Sequence, residues 1–124
     1  FFDSSAWIEI LSKGGKAEET KEILMKNKVF TSIVSISEIV QWCFKNDIDL
    51  SNVMPQIKAL SEFVNLTEEI AEDAGEINYE RKKRIKNWGM IDSLILATAN
   101  HLKLKIVTCD KQFSDLGERV IILK

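Results

Sequence analysis

The chain has 124 residues, enough for one domain (1–124) whose single core buries roughly two thirds of the surface the unfolded chain would expose. Hydrophobic residues make up 45% and charged residues 29%, ordinary soluble globular usage, and no apolar run approaches the ~20 residues of a membrane span. A net charge of −2 excludes a protein that coats nucleic acid by bulk electrostatics, so any such binding must be local. The chain opens on Phe1, already inside a strand-like run, so a few residues are expected before it, and no signal peptide is visible.

Phe1-Phe2 reads as the end of a first strand and Ser5–Leu11 as a short helix leading to the Gly14-Gly15 break. A helix over about Lys16–Asn27 and a short strand Lys28–Thr31 follow. Ser35–Lys45 is helical by the spacing of Ile36, Ile39, Val40 and Phe44. Pro55 suits the first turn of a helix running to about Leu60, and Glu62–Leu66 reads as a third strand. Thr67, with Glu68 and Glu69 in the first turn, caps a long helix reaching towards Lys86. Helix Met90–Leu102 is apolar on most of its circumference and belongs in the centre of the fold. Lys105–Thr108 and Arg119–Leu123 are the fourth and fifth strands, joined by a segment around Phe113–Gly117. Strands alternating with helices, too far apart for hairpins, predict a three-layer α/β/α fold around a parallel sheet of about five strands.

Composition narrows the chemistry. Cys43 and Cys109 form no C-x-x-C pair and read as small buried hydrophobes of a reducing cytoplasm. His101 is the only histidine, late in a helix, which argues against a histidine-rich zinc site and against a Ser-His-Asp triad. Hydrolytic chemistry here must rest on carboxylates.

Asp3, Asp92 and Asp110 each sit where an apolar run or a buried-looking helix meets a turn, the edge at which an open α/β sheet gathers its ligands. Each also has a structural explanation. Asp3 and Asp110 follow strands and could be helix N-caps, and Asp92 could complement a helix dipole. Ser35-Ile36-Ser37-Glu38 reads as a capping box, with Val34 and Ile39 placed for a hydrophobic staple, which would account for Glu38 without chemistry. Asp92, though, is the one charged residue between Trp88 and Ala99, and a buried lone carboxylate is costly.

Four segments together resemble a known family: Phe-Phe-Asp-Ser-Ser over 1–5, Ser-Ile-Val-Ser-Ile-Ser-Glu over 32–38, Gly-Met-Ile-Asp-Ser-Leu-Ile-Leu-Ala-Thr-Ala over 89–99 and Val-Thr-Cys-Asp-Lys-Gln-Phe over 107–113. They resemble the PIN-domain ribonucleases, and their order, spacing and overall length resemble in particular the compact VapC-type toxins. The likeness spans nearly the whole chain. It implies an acidic Mg²⁺ or Mn²⁺ site built from Asp3, Glu38, Asp92 and Asp110, with Ser4 and Thr108 as polar supports. Asp115 matches poorly and stands outside that set. The resemblance further implies an endoribonuclease that cleaves RNA by attack of an activated water, leaving 5′-phosphate and 3′-hydroxyl ends. It also implies a cognate antitoxin that blocks the site, and homodimers; exposed apolar residues around Trp42 and Phe44 could serve either contact.

The basic run Arg81-Lys82-Lys83-Arg84-Ile85-Lys86 could hold phosphates near Asp92, or be a solvated helix end, and Trp88 is a candidate for base stacking. A response-regulator phosphoacceptor would need an aspartate ending the third strand, where Val64-Asn65-Leu66 offers none. A phosphatase with a nucleophilic aspartate wants an acid two residues after Asp3, where Ser5 stands. The remaining rival is a catalytically silent PIN-like module that binds RNA or protein without cutting.

Overall fold

Six α-helices and one 3₁₀ helix separate four three-residue strands over residues 1–123, the part of the chain that this computed structural model describes. In order they are α1 (Ser4–Leu11), α2 (Ala17–Lys26), β1 (Phe30–Ser32), α3 (Ile33–Lys45), α4 (Leu50–Leu60), β2 (Glu62–Val64), α5 (Glu68–Lys82), α6 (Met90–Leu102), β3 (Ile106–Thr108), the 3₁₀ helix Lys111–Arg119 and β4 (Val120–Ile122). Among the described residues no helix is long and apolar enough to cross a membrane.

The expected sheet of about five strands is not formed. β1 pairs in parallel with β2, Phe30 opposite Glu62, and β3 with β4, Ile106 opposite Val120. The first predicted strand reduces to Phe2, which makes isolated parallel bridges to Thr31 and to Val107. Backbone bonds run from the Phe2 N–H to the Phe30 carbonyl on one side, and from the Val107 N–H to the Phe1 carbonyl and the Asp3 N–H to the Val107 carbonyl on the other, just before Asp3 caps α1.

Alternation along these short strands divides the core. Phe2 and Val107 join Trp7, Ile39, Cys43 and Ile57 in one cluster, whereas Phe1 and Ile106 join Trp88, Leu96 and Phe113 in another. Each cluster holds an aromatic pair, Phe2 with Trp7 at 5.1 Å and Trp88 with Phe113 at 4.8 Å between centroids. α6 is buried between the second cluster and α5, as its apolar circumference predicts.

Local capping sets the helix starts, and two expectations change because of it. α3 begins at Ile33 with Ser32 as its cap, whose Oγ accepts from the Val34 N–H at 3.1 Å. Ser35 is therefore inside the helix, its buried Oγ without a partner, and no capping box holds Glu38. α4 begins at Leu50 because Asp49 accepts from the Ser51 N–H, so Pro55 falls within the helix rather than in its first turn. α5 stops at Lys82, short of Lys86: the Arg81 carbonyl accepts from the Arg84 and Ile85 N–H groups, and this turn folds Ile85 and Trp88 onto the second cluster. The 3₁₀ helix breaks at Gly117, where φ of 61° lies in the region that favours glycine.

Candidate metal centre

Asp3 is the most enclosed of the four acids, 8% exposed. Its backbone is extended and caps α1; Oδ1 accepts from the Ser4 N–H at 2.7 Å. Oδ2 accepts from Thr108 Oγ1 at 2.8 Å and from Ser5 Oγ at 3.2 Å. The same two hydroxyls fasten the next segment, because Thr108 Oγ1 accepts from the Asp110 N–H and Ser5 Oγ from the Cys109 N–H. Glu38 projects from α3, one helical turn beyond buried Ser35, and accepts from Ser4 Oγ at 2.9 Å. Asp92 lies in the first turn of α6 and accepts from the Gly89 N–H at 3.0 Å. Asp110 caps the 3₁₀ helix through the Gln112 N–H at 2.9 Å.

These acids feel one another. Burial raises Asp3 above the ordinary carboxylate range, hydrogen bonds from Thr108, Ser4 and Ser5 oppose the rise, and the charge of Asp110 adds to it. Glu38 is raised by burial and by Asp3 and Asp92, against the Ser4 hydrogen bond. Asp92 is raised by burial and by Asp110 and Asp3, against the Gly89 hydrogen bond and the charge of Arg81. Four carboxylates from distant parts of the chain thus share one electrostatic neighbourhood. Among the described residues, no three acid, histidine or cysteine side chains close into a ready ligand set.

A hard divalent cation fits this donor set. All the candidate ligands are oxygens, and Mg²⁺ usually keeps several waters and binds through only one or two carboxylates. An ionised carboxylate has about four lone-pair sites; Asp3 accepts three firm hydrogen bonds and a long contact of 3.4 Å from Ser4 Oγ, whose one proton goes to the closer Glu38, so the carboxylate is held in place and a site on Oδ1 is only weakly occupied. A cation would also offset the burial cost and the mutual repulsion that raise Asp3, Glu38 and Asp92.

Two of the remaining candidates, Trp88 and Arg81, are buried in structural contacts. Trp88 is fully buried, its Nε1 donating to Ser93 Oγ at 2.7 Å, so it presents no face for a base. Arg81 is 6% exposed and makes a two-pronged bond to Asp115, which removes both from the roles of phosphate binder and extra metal ligand. That bond holds the Asp115 carboxyl below its usual range. Lys82 donates to the Trp88 carbonyl, Lys83 pairs with Glu80 and Arg84 with Asp115. Lys86 is exposed. Ser5 is the support that sequence reasoning passed over; its signal was the Ser4-Ser5 doublet directly after Asp3. A cleft of about 450 Å³ between α5, α6 and the 3₁₀ helix is lined by none of the four acids.

Two solved structures share the fold. A toxin-antitoxin complex from Klebsiella pneumoniae superposes with a TM-score of 0.78 at 20% identity, covering 99% of this chain and 96% of the other. VapC20 of Mycobacterium tuberculosis, a sarcin-ricin loop cleaving toxin, superposes with a TM-score of 0.76 at 17% identity over 94% of both chains. No curated protein matches the sequence. The PIN domain pattern matches residues 1–119, nearly the full length and including all four acids, and the chain belongs to the PIN domain family.

Proposed function

We propose that this PIN domain is a Mg²⁺- or Mn²⁺-dependent endoribonuclease and the toxin of a toxin-antitoxin pair, acting in the cytoplasm. The observation that carries the reading is the convergence of Asp3, Glu38 and Asp92 around the Ser4, Ser5 and Thr108 hydroxyls and the Gly89 N–H, three carboxyls raised by burial and by neighbouring acids, a cost that a cation would relieve. The similarity to VapC20 and to a toxin-antitoxin complex supports the nuclease and the antitoxin partner. We also read the two core clusters as the two sides of a three-layer arrangement, and exposed Phe44 as part of a homodimer or antitoxin contact.

In this reading Asp3, Glu38, Asp92 and Asp110 hold the cation. When bound, it supplies a water of lowered pKa and offsets negative charge on the scissile phosphate. The chain's own part is orientation. Thr108 and Ser5 fix Asp3 and anchor the strand end that leads to Asp110, Ser4 fixes Glu38, and the Gly89 N–H fixes Asp92. Water adds to phosphorus as the bond to the 3′ oxygen of the preceding nucleotide breaks, giving a 5′-phosphate and a 3′-hydroxyl. Lys83 and Lys86, on the exposed side of the basic run, meet the RNA backbone.

Asp92→Asn tests the assignment, since an amide keeps the shape and loses the charge. RNA cleavage with Mn²⁺ should fall by a factor of about a thousand, a loss of several kcal/mol of catalysis, with circular dichroism unchanged. Activity within about threefold of wild type would remove Asp92 from the site. A wild-type protein that binds RNA without cutting it under any divalent metal would favour the silent module.

A further inference from the structure

Arg81 is nearly buried, and its surroundings do not make it a simple stabiliser. Removing a guanidinium from water costs several kcal/mol, and a buried ion pair often returns no more than that. Its geometry indicates what it secures instead. Nη1 and Nη2 donate to the two oxygens of Asp115 at 3.0 and 2.9 Å, and Nη2 also donates to the Gln112 carbonyl at 3.0 Å. The guanidinium carbon lies 4.1 Å from the centroid of the Trp88 ring, whose neighbour on another side is Phe113. Trp88 Nε1 in turn bonds Ser93, and Ser93 Oγ donates to Asn78 back on α5.

Two chain segments meet at this one side chain. Trp88 immediately precedes Gly89, whose N–H holds Asp92, and Gln112 supplies the N–H that holds Asp110. A planar fork that is both bidentate and stacked fixes orientation as well as distance, which a lysine cannot reproduce. We propose that Arg81, clasped by Asp115 and Trp88, is a positioning residue that sets Asp92 and Asp110 relative to each other, and through them the metal affinity of the site. The metal arm of this inference rests on the nuclease reading; the positioning arm does not.

The test uses Asp115→Asn and Arg81→Lys in the full chain. The Asp115 side chain is 41% exposed, so the first variant should fold even where the second does not. In metal-free protein, hydrogen exchange at the Gly89 and Gln112 amides should accelerate about tenfold in each folded variant, with the amides of α3 unchanged. Mn²⁺ affinity by calorimetry should fall about ten- to a hundredfold, and kcat for RNA should fall with KM within about twofold of wild type. Wild-type exchange at both amides, or a change in KM alone, overturns the proposal. If wild type itself binds no Mn²⁺ and cuts no RNA, the nuclease reading falls, and the two amides still decide the clasp.

Discussion

Thr108→Val is the sharpest probe of how the site is held. Valine has nearly the shape of threonine and lacks the hydroxyl, and position 108 is fully buried, so packing changes little while the hydrogen bonds to Asp3 and from the Asp110 N–H disappear, together with a 3.1 Å contact to Ser5 Oγ, which keeps Asp3 as a partner. Asp3 loses one of its three firm donors; a hydrogen bond to a charged group contributes about 1.5–3 kcal/mol, and this one lies in a nearly closed environment. The Asp110 N–H loses its acceptor, which costs up to ~1 kcal/mol more because that group is only partly buried. Together the metal-free protein should lose about 2–4 kcal/mol in urea unfolding at pH 7. The Thr108 hydrogen bond lowers the Asp3 pKa, so without it Asp3 takes up a proton at higher pH, and the loss should shrink as pH falls and Asp3 becomes neutral. Thr108→Ser, which restores the hydroxyl, should recover most of the loss. In the Asp3→Asn background Thr108→Val should cost clearly less, and a double-mutant cycle should give about 1–2 kcal/mol of coupling. A cost below about 0.5 kcal/mol at pH 7, independent of pH and of Asp3, would refute the claim that Thr108 holds this carboxylate.

Burial and mutual charge raise Asp3, Glu38 and Asp92, so between about pH 4 and those raised values the folded state binds more protons than the unfolded one. Metal-free stability should therefore rise as pH is lowered through those raised values to about 4, and fall again below that as Asp115, held low by Arg81, begins to protonate; urea midpoints in chelator that decline steadily over the first interval would contradict this. Saturating Mn²⁺ should stabilise wild type by about 2.7 kcal/mol at a hundredfold excess over Kd and leave Asp110→Asn almost unresponsive in thermal melts, whereas a mere helix cap predicts equal shifts in both. Replacing Lys83 and Lys86 by alanine should reduce the log–log salt slope of RNA binding by roughly 0.7 for each phosphate that is no longer neutralised, measured by fluorescence anisotropy; an unchanged slope would return this run to a solvated helix end. Trp88→Phe should cost about 1 kcal/mol or more through the missing Ser93 bond and leave RNA affinity unaltered, since the ring is enclosed.

What depends on near neighbours was legible along the chain. Thr67 caps α5 and Asp110 the 3₁₀ helix through N–H groups within three residues, so cap chemistry was readable along the chain. The apolar circumference of α6 required burial wherever the helix went, and the ordered set of acids with their flanking residues was enough to suggest the family. Competition between local options was not readable. Ser32 and Ser35 are both able to cap α3, and Ser32 prevails because β1 ends there in extended geometry, which leaves Glu38 without a capping role and available to Ser4, 34 residues away. Nor does a linear run of cations reveal which member turns inward. Arg81 follows the buried face of α5 to Asp115 and Trp88, while Lys83 and Lys86 stay exposed, a division set by helical phase and by the turn after Lys82. Strand pairing was beyond sequence for a similar reason: Phe2 bonds Phe30 on one side and bridges Val107 on the other, and only the assembled core brings these segments, so distant from it along the chain, to either side of it.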